Sequence, residues 1–185
     1  VLNIVSYWLK KRFREEYAKL GNSDYKVNAI LTVTRESLKY PEEIVDEYVK
    51  LGLEIIHLRF LNNLGYAQKC WPSISYSPEE YLEFYKKAFK RLEDHQKQGK
   101  KIVERFYEIL LTKLISKYDP GFLELRSPCG AGIGQLAYNP NGDVYTCDEG
   151  RMIGNETFLL GNVHKDLFQN VTTSSKVCAT IDASL

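Results

Sequence analysis

Hydrophobic positions along the chain switch between two periods, and the switches mark its elements. From 1 to 20 the apolar residues recur at helical spacing, with Ile4, Trp8 and Leu9 on one face and Gly21 as a stop, which predicts an amphipathic helix. Val27–Arg35 (VNAILTVTR) is rich in β-branched residues and bounded by turn formers, as expected of a buried strand. Pro41 opens a helix running to Leu51, with Glu42 and Glu43 in its first turn and Gly52 just beyond. Leu53–Phe60 (LEIIHLRF) reads as a second strand. A loop follows at Asn62–Gly65. Ser77-Pro78-Glu79-Glu80 then starts a long helix reaching about His95, and a third helix is expected over Lys101–Lys117.

Strand–helix–strand–helix order predicts an α/β fold with parallel strands, either a barrel or an open doubly wound sheet. Two strands cannot close a barrel, and both would leave edges unpaired. With Val1 rather than methionine at the start, this points to a piece of a longer protein, able to self-associate through those edges. Past Pro120 the texture changes. Ser127–Gly150 is glycine-rich without helical period, and Asn139-Pro140-Asn141-Gly142 predicts a hairpin turn between Gln135–Tyr138 and Asp143–Thr146. Two domains are therefore expected, 1–120 and 121–185, with a loosely held tail beyond His164.

Charge narrows the function. The 25 lysines and arginines against 24 acids leave a net charge of +1, so no long-range field draws the chain to nucleic acid or an anionic membrane. No apolar run approaches the roughly 18 residues of a membrane span. Nothing resembles a signal peptide, so the cytoplasm is the expected compartment.

Each strand shows one polar and one apolar face. Asn28, Thr32 and Thr34 oppose Val27, Ala29, Leu31 and Val33; His57 and Arg59 oppose Ile56 and Leu58. Parallel strands are ordinarily apolar on both sides. The polar faces can line a cavity where Thr34, His57 and Arg59 meet a charged ligand near the strand ends. The plainer alternative is a core histidine satisfied by its neighbours and an arginine paired with a local carboxylate.

Of the four cysteines, Cys70, Cys129, Cys147 and Cys178, the second and third flank the hairpin. A hairpin brings its ends together, so Cys129 and Cys147 could share an iron–sulfur cluster or a zinc ion, with Cys178 and His164 as further zinc ligands. A small buried pair or a disulfide fits the spacing equally. Asp148 and Glu149 follow directly, either as solvated acids or, for Asp148, as a base beside a cavity.

The run CGAGIGQLAYNPNGDVYTCDEG, followed by Leu159-Leu160-Gly161-Asn162-Val163, resembles the opening of the SPASM domain of peptide-modifying radical SAM enzymes. Cys129, Gly142 and Cys147 fit its C-x(9–15)-G-x(4)-C motif. The longer runs LTVTRESL, EEIVDEYVKLGLEIIHLRFLNNLGYA and LRSPCGAGIGQLAYNPNGDVYTCDEGRM resemble the maturases of the His-Xaa-Ser peptide system. Anaerobic sulfatase-maturating enzymes are similar at greater distance. The resemblance implies the C-terminal part of a partial (β/α)6 barrel followed by a SPASM-like hairpin segment. It implies S-adenosylmethionine and [4Fe-4S] clusters as cofactors, a peptide or protein substrate, Cys129 and Cys147 as auxiliary-cluster ligands, and Asp148 as the base. It also implies departures. There is no CxxxCxxC, the motif that holds the SAM-cleaving cluster, and no CxxCxxxxxC after Cys147. The 185 residues alone are therefore expected to be inert. A peptide-binding module using the Val27 or Leu53 strand edge, or a zinc scaffold, are the non-enzymatic alternatives.

Overall fold

The computed structural model describes residues 29–184 together with Glu15 and Lys19. The helix expected over 1–20 and the first residues of the Val27 strand lie outside them. The chain forms two compact units, one built from residues up to Asn62 with Cys70–Ile115, the other from Asn63–Lys69 and the residues from Ser116 onward.

The first unit is a three-stranded parallel sheet with helices. Its strands are β1 (Ala29–Thr32), β2 (Ile55–Arg59) and β3 (Val103–Glu104), in the order β1-β2-β3. Leu31 pairs with Leu58 and Thr32 with Arg59, while Ile56 pairs with Glu104. The expected parallel pairing is present. The third strand was not expected: it replaces the first turn of the helix read over Lys101–Lys117. That segment is two residues of strand followed by α4 (Arg105–Ile115), because burying Glu104 in the sheet outweighs its helix propensity. The self-association expected from unpaired edges loses one of its two premises, since β2 is a central strand.

The remaining helices are α1 (Pro41–Lys50), α2 (Ala67–Ile74) and α3 (Pro78–Lys97). α2 lies in a stretch to which the sequence reading assigned no element, and it carries Pro72 in its interior, a residue that weakens a helical signal. α3 starts where expected, on a capping box: Ser77 Oγ accepts from the Glu80 amide at 3.2 Å, and Glu80 Oε2 accepts from the Ser77 amide at 2.7 Å. The core joins Val33, Ile56 and Leu58 of the strands to Val45 of α1 and Phe84, Ala88 and Leu92 of α3. These strand residues belong to the apolar faces read from sequence. Ile30 and Thr32, on the opposite face of β1, are exposed. Tyr48 of α1 donates to the Ala29 carbonyl at 3.1 Å; burial pushes its hydroxyl up to about 12, so it remains a donor.

The second unit holds an antiparallel sheet, β4 (Ala137–Tyr138), β5 (Asp143–Tyr145) and β6 (Leu159–Asn162), in that order. The hairpin turn lies where the sequence placed it. Helix α5 (Asp148–Ile153) follows β5, and α6 (Phe168–Thr172) and α7 (Ser175–Asp182) follow β6. The tail is thus not loosely held. Val171 and Val177 are buried, at 4% and 3% exposure, and two apolar anchors suffice to seat two short helices.

Candidate functional site

Thr34 and Arg59 stand at the C-terminal ends of neighbouring strands, the end where ligands bind in parallel α/β sheets. Thr34 is occupied locally. Its amide donates to Ser37 Oγ at 3.1 Å, its hydroxyl lies 3.2 Å from the same oxygen, and its carbonyl accepts from Leu38. It therefore shapes the turn into the 3-10 segment Ser37–Lys39. Arg59 differs. Its carbonyl accepts from the Val33 amide at 2.8 Å; the residue is half-buried, yet its guanidinium has no hydrogen-bond or ion-pair partner among the described residues. It projects from the face opposite Ile56 and Leu58, as the alternation of the strand requires.

Two anchors that sequence reading missed frame this strand end. Arg35 reaches back to the C-terminal carbonyls around α2: Nε to Ser75 O at 2.8 Å, Nη1 to Pro72 O at 3.1 Å, and its amide to Ile74 O at 2.8 Å. Tyr76, Tyr81 and Tyr85 form a second group. The Tyr76 hydroxyl accepts from the Leu61 amide, Tyr81 donates to the Leu58 carbonyl and Tyr85 to the Glu104 carboxylate. Burial raises the pKa of Tyr81 and Tyr85, and nearby Glu104 adds to both shifts. The four-residue spacing of Tyr81 and Tyr85, which sets both on one helix face, was a legible signal. The buried acceptor of Tyr85, Glu104, was hidden in a segment read as helix.

In the second unit the geometry around Cys147 is well defined. Cys147 is extended and serves as the N-cap of α5, its Sγ accepting from the Gly150 amide at 3.2 Å. The thiol is half-buried, and burial holds its pKa above the ordinary thiol value. Cys129 is also half-buried, and its amide donates to Ser184 Oγ at 2.9 Å, tying it to the end of α7. Asp148 is the first residue of α5 rather than part of an extended strand. It is exposed and paired with Arg151, at 3.1 Å from Nη2.

No three of His, Cys, Asp and Glu converge on a possible metal position among the described residues. The zinc arrangement of Cys129, Cys147, Cys178 and His164 is thus not assembled: Cys178 is exposed on α7, while the His164 ring lies over Gly142. A four-thiolate iron–sulfur cluster does not fit these residues by themselves either. Cys70 lies half-buried in α2. No described helix is long and apolar enough to cross a membrane.

No protein-family model matches the chain, and no curated protein matches it. Solved structures do. Native anSMEcpe with bound AdoMet aligns over 94% of this chain at a TM-score of 0.69 and 18% identity. The same protein with AdoMet and the Kp18Cys peptide aligns at 0.68, and with AdoMet and the Cp18Cys peptide at 0.69, each at 18% identity over 94% of this chain. The alignment takes in 45% of each of those chains, so the present chain spans less than half their length. At this identity the likeness establishes the fold: a mixed α/β chain with a parallel sheet, matching part of anSMEcpe.

Proposed function

We propose that this chain is part of a radical SAM enzyme that modifies a peptide or protein substrate by hydrogen-atom abstraction. Residues 1–120 are its share of a partial (β/α)6 barrel, and residues 121–185 are the start of a SPASM-like segment. The observation that carries the reading is Arg59, a half-buried residue whose side chain has no partner among the described residues, at the C-terminal end of a parallel strand. A guanidinium at that position can take a ligand anion through charge-assisted hydrogen bonds. The sequence resemblance and the fold supply the ligand class, since the structures of similar fold hold AdoMet, and two of them hold a peptide. The finer assignment to His-Xaa-Ser maturases rests on the sequence runs alone.

In this reading Arg59 binds the carboxylate of AdoMet, and Thr34 shapes the loop beside it. Bound AdoMet supplies the radical that takes a hydrogen atom from the substrate. Asp148 holds or receives a proton at its carboxylate as the product forms. Cys129 and Cys147 are two of the ligands of an auxiliary [4Fe-4S] cluster whose other ligands lie outside the described set. No step is assigned to that cluster, because the residues at hand do not complete it. The compartment consistent with this chemistry is the cytoplasm. The peptide-module alternative loses one of its candidate edges, since the Leu53 strand is paired by β3 at Ile55 and Ile56 and sealed by the Glu104 and Tyr81 side chains at Leu58.

The test is AdoMet cleavage. Full-length protein, reconstituted anaerobically with iron and sulfide and reduced with dithionite, should release 5′-deoxyadenosine from AdoMet; the 185 residues alone should not. Absence of the product from the full-length protein rejects the proposal.

A further inference from the structure

β3 ends at Glu104, opposite Ile56, and the chain turns at once into α4. No described strand stands beside Leu58 on that edge, although Leu58 is 1% exposed and its backbone groups cannot reach water. Side chains take the strand's place. Glu104 Oε1 accepts from the Leu58 amide at 3.2 Å, and the Tyr81 hydroxyl donates to the Leu58 carbonyl at 2.6 Å. Glu104 is itself only 1% exposed. Its Oε2 accepts from the Tyr85 hydroxyl and from the Tyr107 amide in the first turn of α4, both at 2.6 Å.

The Leu58 carbonyl and the Arg59 nitrogen belong to one rigid peptide plane. Tyr81 holds that plane through its carbonyl, Glu104 holds the preceding plane through the Leu58 amide, and β1 holds the following one through the Arg59 carbonyl and the Val33 amide. A buried carboxylate is a costly way to seal an edge, because apolar residues of similar size are often as stable or more so. What the carboxylate adds is direction: three donors from β2, α3 and α4 converge on it and leave one backbone orientation.

We propose that Glu104, with Tyr81, is the positioning residue for Arg59, fixing the angle at which its guanidinium meets the carboxylate of a bound ligand. This rests on the reading of Arg59 as an AdoMet contact, and the experiment separates the two. AdoMet affinity would be measured by equilibrium dialysis on reconstituted full-length protein, for Arg59→Ala, Glu104→Gln, Tyr81→Phe and each double variant with Arg59→Ala. Loss of one charge-assisted hydrogen bond should make Arg59→Ala about tenfold weaker. Glu104→Gln and Tyr81→Phe should each be roughly three- to tenfold weaker, and neither should weaken binding further once Arg59 is gone. Wild-type affinity in both single variants, or effects that multiply with Arg59→Ala, overturns the positioning role while leaving the contact intact. Wild-type affinity in Arg59→Ala rejects the contact, and the positioning role with it. Should Glu104→Gln fail to fold, Tyr81→Phe decides alone: several-fold weaker binding that vanishes in the Arg59→Ala background supports the role, and unchanged binding refutes it.

Discussion

The imidazole of His164 lies directly over Gly142. A Cβ on Gly142 would stand 2.6 Å from His164 Cδ2 and 3.1 Å from Asn162 Oδ1, and the glycine sits at φ +89°. The turn is locked from the β6 side as well. Asn162 Nδ2 donates to the Asn141 carbonyl at 3.1 Å and to Asp143 Oδ1 at 2.9 Å, and the Val163 amide donates to the Gly142 carbonyl at 2.9 Å. The spacing from Gly142 to Asn162 thus corresponds to a physical contact between turn and third strand.

Gly142→Ala should consequently lower stability by about 1–3 kcal/mol, from the left-handed backbone and the displaced imidazole together. Urea denaturation followed by fluorescence measures it. A variant as stable as the parent shows that His164 moves aside freely and that the turn tolerates a side chain.

Cys147 combines two roles that substitution can separate. Its sulfur caps α5 through the Gly150 amide, and in the proposed enzyme it also binds iron. Cys147→Ser keeps a side-chain oxygen at a position where serine is a preferred cap, so stability should hold, whereas Cys147→Ala should cost about 1 kcal/mol. Iron content of the reconstituted full-length protein should fall equally in both. If Cys147→Ser retains the iron, the cysteine is a cap and no ligand.

The pair formed by Asp148 and Arg151 is exposed, with the aspartate side chain 63% accessible. Pairs of this kind contribute about 0–1 kcal/mol, so Asp148→Asn should melt within a degree or two of the parent. As the proposed base, the same substitution in the full-length enzyme should slow product formation about 10²- to 10⁴-fold while AdoMet cleavage persists. Normal turnover would reduce Asp148 to a surface partner of Arg151.

Asp46 links α1 to α3. Its two oxygens take Arg91 Nε and Nη2 at 2.7 and 3.0 Å, and His95 Nε2 meets the first of them. The hydrogen bond from Arg91 holds the Asp46 carboxyl below its ordinary value, with His95 adding to the shift. A depressed carboxyl stabilises the fold above its unfolded pKa of about 3.9 and loses that contribution as pH falls through the folded value. Melting temperature against pH should show the parent ahead of Asp46→Asn at neutral pH, with the gap closing below about pH 4. A gap that stays constant with pH would mean the carboxylate charge contributes nothing.

Local chemistry made much of this protein legible in one dimension. The Pro41 and Ser77 helix starts, the parallel Val27 and Leu53 strands, their apolar faces and the Asn-Gly hairpin all follow from propensity, capping and alternation. These depend on residues within a few positions of one another. Thr34, Arg59, Cys129, Cys147 and Asp148 were likewise visible as residue types in suggestive places. Their surroundings were not. That Thr34 is spent on Ser37, that Arg59 meets no partner among the described residues and that Cys147 caps a helix are outcomes of how the backbone folds around each. The strand at Val103–Glu104 shows the limit most directly. Its sequence reads as the start of a helix, and only the open edge of β2, 46 positions away at Leu58, gives the Glu104 carboxylate a reason to be buried there. A long-range hydrogen bond in a dry interior outweighs a few tenths of a kcal/mol of local helix preference, and no local pattern records it.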